Sequence, residues 1–131
     1  MKKNKILYLD DEVELLEFVK FVLEYNNYEV IVGENWDKSY FEILSDVDMI
    51  ILDVMFSNGN ACGYDICKII RAKEKYSKIP IYMFSAKTFH EDKIKAQEAG
   101  ANGFIEKPVE VKELLSIVES VVNRENINAL L

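Results

Sequence analysis

The sequence is poor in the residues that cross-link, divide or activate a small protein. Its two cysteines, Cys62 and Cys67, stand five positions apart with no Cys or His cluster nearby, which suits neither a disulfide framework nor a zinc site. No nucleophilic Ser or Cys is visibly paired with the single histidine, His90, so triad chemistry is not indicated. Only two prolines and five glycines occur in 131 residues, and no Pro/Gly-rich linker divides the chain. The sequence therefore predicts one domain around one core.

Long hydrophobic runs and an excess of positive charge are also missing. The apolar run that follows the basic start covers only residues 6–9, whereas a secretory signal needs about seven to fifteen apolar residues. No stretch approaches the roughly eighteen uncharged residues of a membrane span. With 16 Lys and Arg against 23 Asp and Glu, the net charge is −7, which opposes binding to nucleic acid and to anionic membrane. We therefore expect a cytoplasmic protein that binds neither directly.

Two patterns alternate along the chain. Five short apolar runs resemble strands, and three are almost unbroken hydrophobics, as in strands buried on both faces of a parallel sheet. These runs occupy residues 6–9, 28–32, 49–52, 81–84 and 103–105. Five helical patterns, the first and last of them the clearest, occupy residues 13–23, 37–45, 64–72, 91–99 and 114–122. Strict alternation of this kind predicts an α/β fold, a doubly wound five-stranded parallel sheet with five helices on its two faces.

Reactive side chains follow four of the predicted strands. They are Asp10, Asp11 and Glu12 after the first strand, Asp53 after the third, Ser85 after the fourth and Lys107 after the fifth. In an open α/β sheet, the carboxyl ends of the strands form the ligand-binding edge. Clustered carboxylates repel one another unless a cation lies among them, and oxygen ligands suit Mg²⁺. A phosphoryl group there would find the metal, an ammonium and a hydroxyl, the electrostatic clamp that phosphoryl transfer requires.

In their order and spacing, these residues resemble the receiver domain of two-component response regulators. The matching pieces are Leu9-Asp10-Asp11-Glu12, Ile51-Leu52-Asp53, Phe84-Ser85-Ala86 and the segment from Ala99 to Pro108. The resemblance covers essentially the whole chain. It implies a flavodoxin-like sheet with strand order 2-1-3-4-5, a receiver domain over residues 1–123 and a C-terminal tail over 124–131, which we expect to fray.

The resemblance also implies roles for the site residues. Asp53 would accept a phosphoryl group from the phosphohistidine of a sensor histidine kinase or phosphotransfer protein. Asp10 and Asp11 would hold Mg²⁺ with Asp53, and the backbone carbonyl of Met55 would complete the protein ligands. Phosphoryl oxygens would be bound by two further residues, Ser85 and Lys107.

The output side of the resemblance concerns the end of the chain. Phe104 matches the aromatic residue that changes its position when the domain is phosphorylated. An equal alternative is that Phe104 is an ordinary half-buried aromatic residue of a strand. The Lys107–Pro108 peptide bond is expected to be cis, an uncommon state for X-Pro bonds. The signal would leave through the face of the fourth helix, fifth strand and fifth helix, to a downstream effector protein or a second copy of the chain. No separate substrate turnover is expected, so we classify the chain as a signalling domain and not as an enzyme.

The sequence departs from the usual receiver pattern in two places. Ten positions separate Asp53 from Gly63, and the segment 57–62 is longer than usual and lacks the usual Pro. It forms either a kinase-recognition surface or a tolerated loop extension, and we favour the second. Met55 and Lys87 stand where the family controls dephosphorylation, and neither is a carboxylate or amide that could orient a water. A long-lived aspartyl phosphate is therefore expected.

Three other classes compete with this interpretation. A haloacid-dehalogenase type of hydrolase would need an Asp-x-Asp motif, which neither Asp10-Asp11-Glu12 nor Asp53-Val54-Met55 supplies. A flavodoxin would need a Ser/Thr/Gly-rich phosphate loop after the first strand. A phosphorylation-independent pseudo-receiver, acting as a protein-interaction module, would keep the fold and lose site residues. Since every site residue is present here, that alternative is disfavoured but stays open.

Overall fold

A computed structural model describes residues 3–56, 62–86 and 90–130, and the side chains of 3–56, 62–86 and 90–123 within them. Its strands are β1 (Lys5–Leu9), β2 (Glu29–Gly33), β3 (Met49–Asp53), β4 (Ile81–Ser85) and β5 (Gly103–Glu106). Its α-helices are α1 (Val13–Tyr25), α2 (Gly63–Arg71), α3 (His90–Ala99) and α4 (Val111–Leu130). Short 3₁₀ turns lie at Lys38–Glu42, Leu44–Asp46 and Glu74–Tyr76.

The five strands form one parallel sheet in the order β2-β1-β3-β4-β5. The predicted flavodoxin-like, doubly wound topology is thus confirmed. In the register of the sheet, Leu9 pairs with Leu52, Asp53 with Phe84, and Ser85 with Glu106. The carboxyl ends of the central strands therefore end at one level, and the residues that follow them share one edge.

Apolar side chains cover both faces of the sheet, because alternate residues of each strand point to opposite sides. On one face, Ile6 and Tyr8 of β1 pack with the buried residues of α1 and α4. On the other face, Leu7 and Leu9 pack with α2, α3 and the 3₁₀ segments. The central strand β3 is buried along its whole length, as its unbroken MIILD sequence indicates.

The second predicted helix, over residues 37–45, is wrong, and the described chain has four α-helices in place of five. Backbone bonds there run from residue i+3 to residue i, as from the Tyr40 amide to the Asp37 carbonyl at 3.0 Å. Trp36 packs edge-on against Phe41 with ring centroids 5.1 Å apart. Aromatic residues and Ser have modest helix propensity, and packing of the rings against the core favours tight turns over a regular helix.

The last two helices, α3 and α4, end in different ways. Gly100 follows α3 with a φ of +98°, so it has the left-handed conformation expected of a glycine that ends a helix. The last helix, by contrast, continues to Leu130, so residues 124–130 of the predicted tail are helical. Within the described residues, no helix combines the length and the apolar character that crossing a membrane would require.

Candidate functional site

Three polar residues are buried at the carboxyl edge of the sheet. Asp10 is fully buried, and Asp53 and Ser85 are each 4% exposed. Asp10 follows β1 directly, whereas the other two are the last residues of β3 and β4. Burial of such groups is unfavourable unless they are paired, so their partners define the site.

Lys107 is the partner that these carboxylates share. Its ammonium lies 2.9 Å from Oδ2 of Asp10, 3.3 Å from Oδ1 of Asp53 and 3.3 Å from Oε1 of Glu12. The Lys107 side chain is 11% exposed, and its ammonium also lies 5.0 Å from the centre of the Phe84 ring. Among the described residues, one ammonium thus faces three carboxylates, which gives the site a local excess of negative charge.

Asp10 is held from three directions. Its Oδ2 accepts hydrogen bonds from the Tyr8 hydroxyl at 2.7 Å and from Lys107. Its Oδ1 accepts one from the backbone amide of Glu12 at 3.0 Å, at the start of α1. Sequence reasoning had missed Tyr8, although the two-residue period of a strand places positions 8 and 10 on the same side.

The carboxylates of Asp10, Asp11 and Asp53 converge. One oxygen from each lies within 4.8 Å of the corresponding oxygens of the other two. Burial and the charge of Asp10 raise the pKa of Asp53 to about 7, although Lys107 and the Met55 amide act in the opposite direction. A raised pKa is the response expected of a carboxyl placed beside a like charge in a poorly solvated site.

The same cluster acts on the lysine. Burial alone would lower the pKa of Lys107, but the hydrogen bond and charge of Asp10, with the charges of Asp53 and Glu12, raise it overall. Lys107 therefore stays protonated at neutral pH. Its charge is a permanent part of the site.

A glycine supports the backbone around Asp53. A Cβ atom added to Gly63 would collide with the carbonyl oxygen of Asp53, so no larger residue fits without displacement. The Gly63 amide also donates a hydrogen bond to the Val54 carbonyl at 2.9 Å. The start of α2 is thereby fixed against the end of β3.

Comparisons with known proteins agree with this geometry. The sequence profile of the response regulator receiver domain matches residues 6–119. The chain belongs to this family. The heme response regulator HssR of Staphylococcus saprophyticus is 36% identical over 93% of this chain and 53% of its own length. The nisin biosynthesis regulatory protein NisR of Lactococcus lactis is 38% identical over 95% of this chain and 52% of its own length. This receiver domain thus spans about half the length of the curated relatives it matches.

Solved structures place the receiver in the same fold group. Chemotaxis protein CheY4 of Vibrio cholerae matches with a TM-score of 0.82 and 26% identity, over 92% of this chain and 99% of that one. Receiver domains are signalling domains, a kinase partner is implied for them, and they generally bind Mg²⁺ at an acidic pocket. The resemblance stated from the sequence is therefore confirmed at the level of the family.

The residues of this receiver fit such an ion. The convergent atoms of Asp10, Asp11 and Asp53 are all oxygens, the ligand type that Mg²⁺ prefers. In the part of the chain that the structure describes, the three carboxylates and the Lys107 ammonium leave a net negative charge that a divalent cation would offset. The raised pKa of Asp53 is consistent with this, since burial and the neighbouring charge of Asp10 both disfavour its ionised form.

The remaining predicted residues have varied positions. Ser85 lies at the same edge, where its carbonyl accepts the Lys107 amide at 2.9 Å, and the Lys107–Pro108 peptide bond is cis. Met55 is exposed, whereas Phe104 of β5 is half-buried against the core on the α2 and α3 side. Lys87 and residues 57–61 of the predicted loop extension lie outside the described residues.

Proposed function

We propose that this chain is a phospho-accepting receiver domain whose Asp53 takes a phosphoryl group from a phosphohistidine. One observation carries the proposal. A buried carboxylate at the end of the central strand lies beside two further carboxylates and 3.3 Å from the largely buried ammonium of Lys107. A structural ion pair would need neither the additional carboxylates nor their convergence on one point.

In the proposed reaction, Asp53 is the nucleophile. A carboxylate oxygen attacks phosphorus in line with the departing ring nitrogen, so an O–P bond forms as the P–N bond breaks. The nitrogen keeps the electron pair of that bond and takes up a proton. Because Asp53 must be ionised to attack, its raised pKa means that added positive charge at the site would favour the reactive form.

The neighbouring groups would bind the charge of the transferred phosphoryl group. Asp10 and Asp11 would hold Mg²⁺ together with Asp53 and the Met55 carbonyl, and the ion would supply positive charge to the phosphoryl oxygens. The Lys107 ammonium already lies 3.3 Å from Asp53, so it could shift to bind an oxygen of a phosphoryl group added there. The Ser85 hydroxyl would donate to another oxygen from the end of β4.

The same contacts would provide the signal. Phe104 pairs with Met83 across the β4–β5 register, two residues before Ser85. A movement of Ser85 toward a phosphoryl group would alter packing beside Phe104 and bias the output face, formed by α3, β5 and α4. A cytoplasmic effector protein or a second copy of the chain would read that face. Since residue 104 lacks a hydroxyl, the change would be one of packing alone.

The experiment is incubation with acetyl phosphate and Mg²⁺, followed by intact-mass measurement. We expect one added phosphoryl group on the wild type and none on Asp53→Asn. The matched control is Asp65→Asn, which neutralises an exposed aspartate in the first turn of α2 and should be labelled like the wild type.

The contrary outcome is equally defined. An unmodified wild type, under conditions that label a control receiver, would favour the phosphorylation-independent pseudo-receiver. Equal labelling of wild type and Asp53→Asn would place the phosphoacceptor elsewhere. Labelling without Mg²⁺, after treatment with chelator, would remove the ion from the proposal.

A further inference from the structure

Tyr8 lies beneath the acidic cluster and no part of the reaction just described uses it. It is fully buried in the core between the sheet, α1 and α4, and its ring packs against Phe84 with centroids 5.9 Å apart. Ile6, the other residue of β1 in this core, is apolar. A tyrosine there carries a hydroxyl that must find an acceptor, and it donates to Asp10 at 2.7 Å.

The bond limits how the Asp10 carboxylate can orient. A carboxylate offers about four acceptor positions on its two oxygens. Tyr8 and Lys107 occupy Oδ2, and the Glu12 amide occupies one position on Oδ1. Among the contacts of the described residues, the acceptor position that remains is on Oδ1. Tyr8 and the Glu12 amide hold opposite ends of the carboxylate, and rotation would break one of the two bonds.

Lys107 cannot hold the orientation of the Asp10 carboxylate alone. Its ammonium is shared with Asp53 and Glu12, and the proposed reaction requires it to follow a phosphoryl group. The Tyr8 hydroxyl, in contrast, is carried by a ring fixed in the core and has Asp10 as its acceptor. It can therefore hold Asp10 while Lys107 moves.

We propose that Tyr8 is a positioning residue that orients Asp10 for Mg²⁺. This inference rests on the Mg²⁺ site of the proposed function. Hydrogen bonds to metal ligands typically change metal affinity by about 10–100-fold when removed. Because the Glu12 amide and Lys107 continue to hold Asp10, we expect the lower end of that range.

The test is Tyr8→Phe, which keeps the ring against Phe84 and removes only the hydroxyl. Isothermal titration with Mg²⁺ alone should give a Kd about tenfold weaker than that of the wild type. The matched control is Tyr28→Phe, which removes the hydroxyl of a half-buried tyrosine just before β2, at the opposite edge of the sheet. Its Kd should stay within twofold. If Tyr8→Phe is too unstable for calorimetry, the rise in Tm with Mg²⁺ concentration gives the same affinity.

Two further measurements distinguish positioning from a merely structural role. The Mg²⁺ concentration that gives half-maximal labelling by acetyl phosphate should rise in Tyr8→Phe, while the rate at saturating Mg²⁺ stays within twofold of wild type. In an Asp10→Asn background, Tyr8→Phe should no longer change the Mg²⁺ Kd, because the hydroxyl acts through that carboxylate. An unchanged Kd in the single variant would overturn this inference alone. A wild type that binds no Mg²⁺ would overturn both it and the proposed metal site.

Discussion

Replacing the phosphoacceptor should stabilise the protein when Mg²⁺ is absent. Asn at position 53 keeps the shape and the oxygen that accepts from Lys107, but it removes a negative charge from beside Asp10. The pKa of Asp53 rises from 3.8 to about 7 on folding. At about 1.4 kcal/mol per pH unit, ionisation of this carboxyl costs at most about 4 kcal/mol of folding free energy at pH 8. We expect Asp53→Asn to recover about half of this free energy or more. The loss of the ion pair with Lys107 offsets the remainder.

The sign of the pH dependence follows from the same pKa. Between pH 3.8 and about 7, the native protein keeps a proton on Asp53 that the unfolded chain has lost. Stability from this group is therefore complete below pH 3.8 and is lost as the pH rises through 7. Asp53→Asn should match the wild type near pH 4 and exceed it increasingly toward pH 8.

The assay is urea or thermal unfolding in EDTA at pH 4, 6 and 8. A gain of about 2–4 kcal/mol corresponds to a rise in Tm of roughly 10 °C for a chain of this size. Asp65→Asn, the exposed control, should change stability by no more than about 1 kcal/mol, because it removes an exposed charge from the first turn of α2. Saturating Mg²⁺ should narrow or reverse the difference, because the variant has lost a ligand. A variant no more stable than wild type at pH 8 in EDTA would refute the reasoning.

Three further predictions concern the backbone support, a side-chain network and the phosphoryl lifetime. Gly63→Ala should slow labelling by acetyl phosphate and cost about 1–3 kcal/mol of unfolding free energy, since its Cβ would meet the Asp53 carbonyl. Arg71→Met should cost about 2–4 kcal/mol in urea unfolding, because three hydrogen bonds to oxygen acceptors are lost; a change below 0.5 kcal/mol would contradict this. With Met55 and Lys87 at the positions that control dephosphorylation, the phosphoryl group should persist well beyond seconds in Mg²⁺ buffer. Intact-mass measurement over time checks this, and loss of the phosphoryl group within seconds would contradict the prediction.

Local patterns predicted the elements whose pattern is set by burial. β3 reads as unbroken hydrophobics because both its faces are covered, and α1 repeats its buried residues Leu16, Val19, Val22 and Leu23 at helical spacing. The segment 37–45 has neither of these patterns along its full length. Its aromatic spacing suits a helix, yet ring packing against a core built from distant strands produced 3₁₀ turns. Propensity is a weak signal when tertiary contacts oppose it.

The sequence by itself determined which residues follow each strand and hence which groups could share the carboxyl edge. Only the tertiary structure decided how they meet. Lys107 and Asp10 are 97 positions apart, and their 2.9 Å contact exists because the parallel strands β1 and β5 end at the same edge of one sheet, although β3 and β4 lie between them. The bond from Tyr8 to Asp10 spans two positions, but it needs the ring to be fixed by Phe84 from β4. Spacing along a chain sets the side of a strand on which a residue lies, whereas packing between strands sets its distance from its partners.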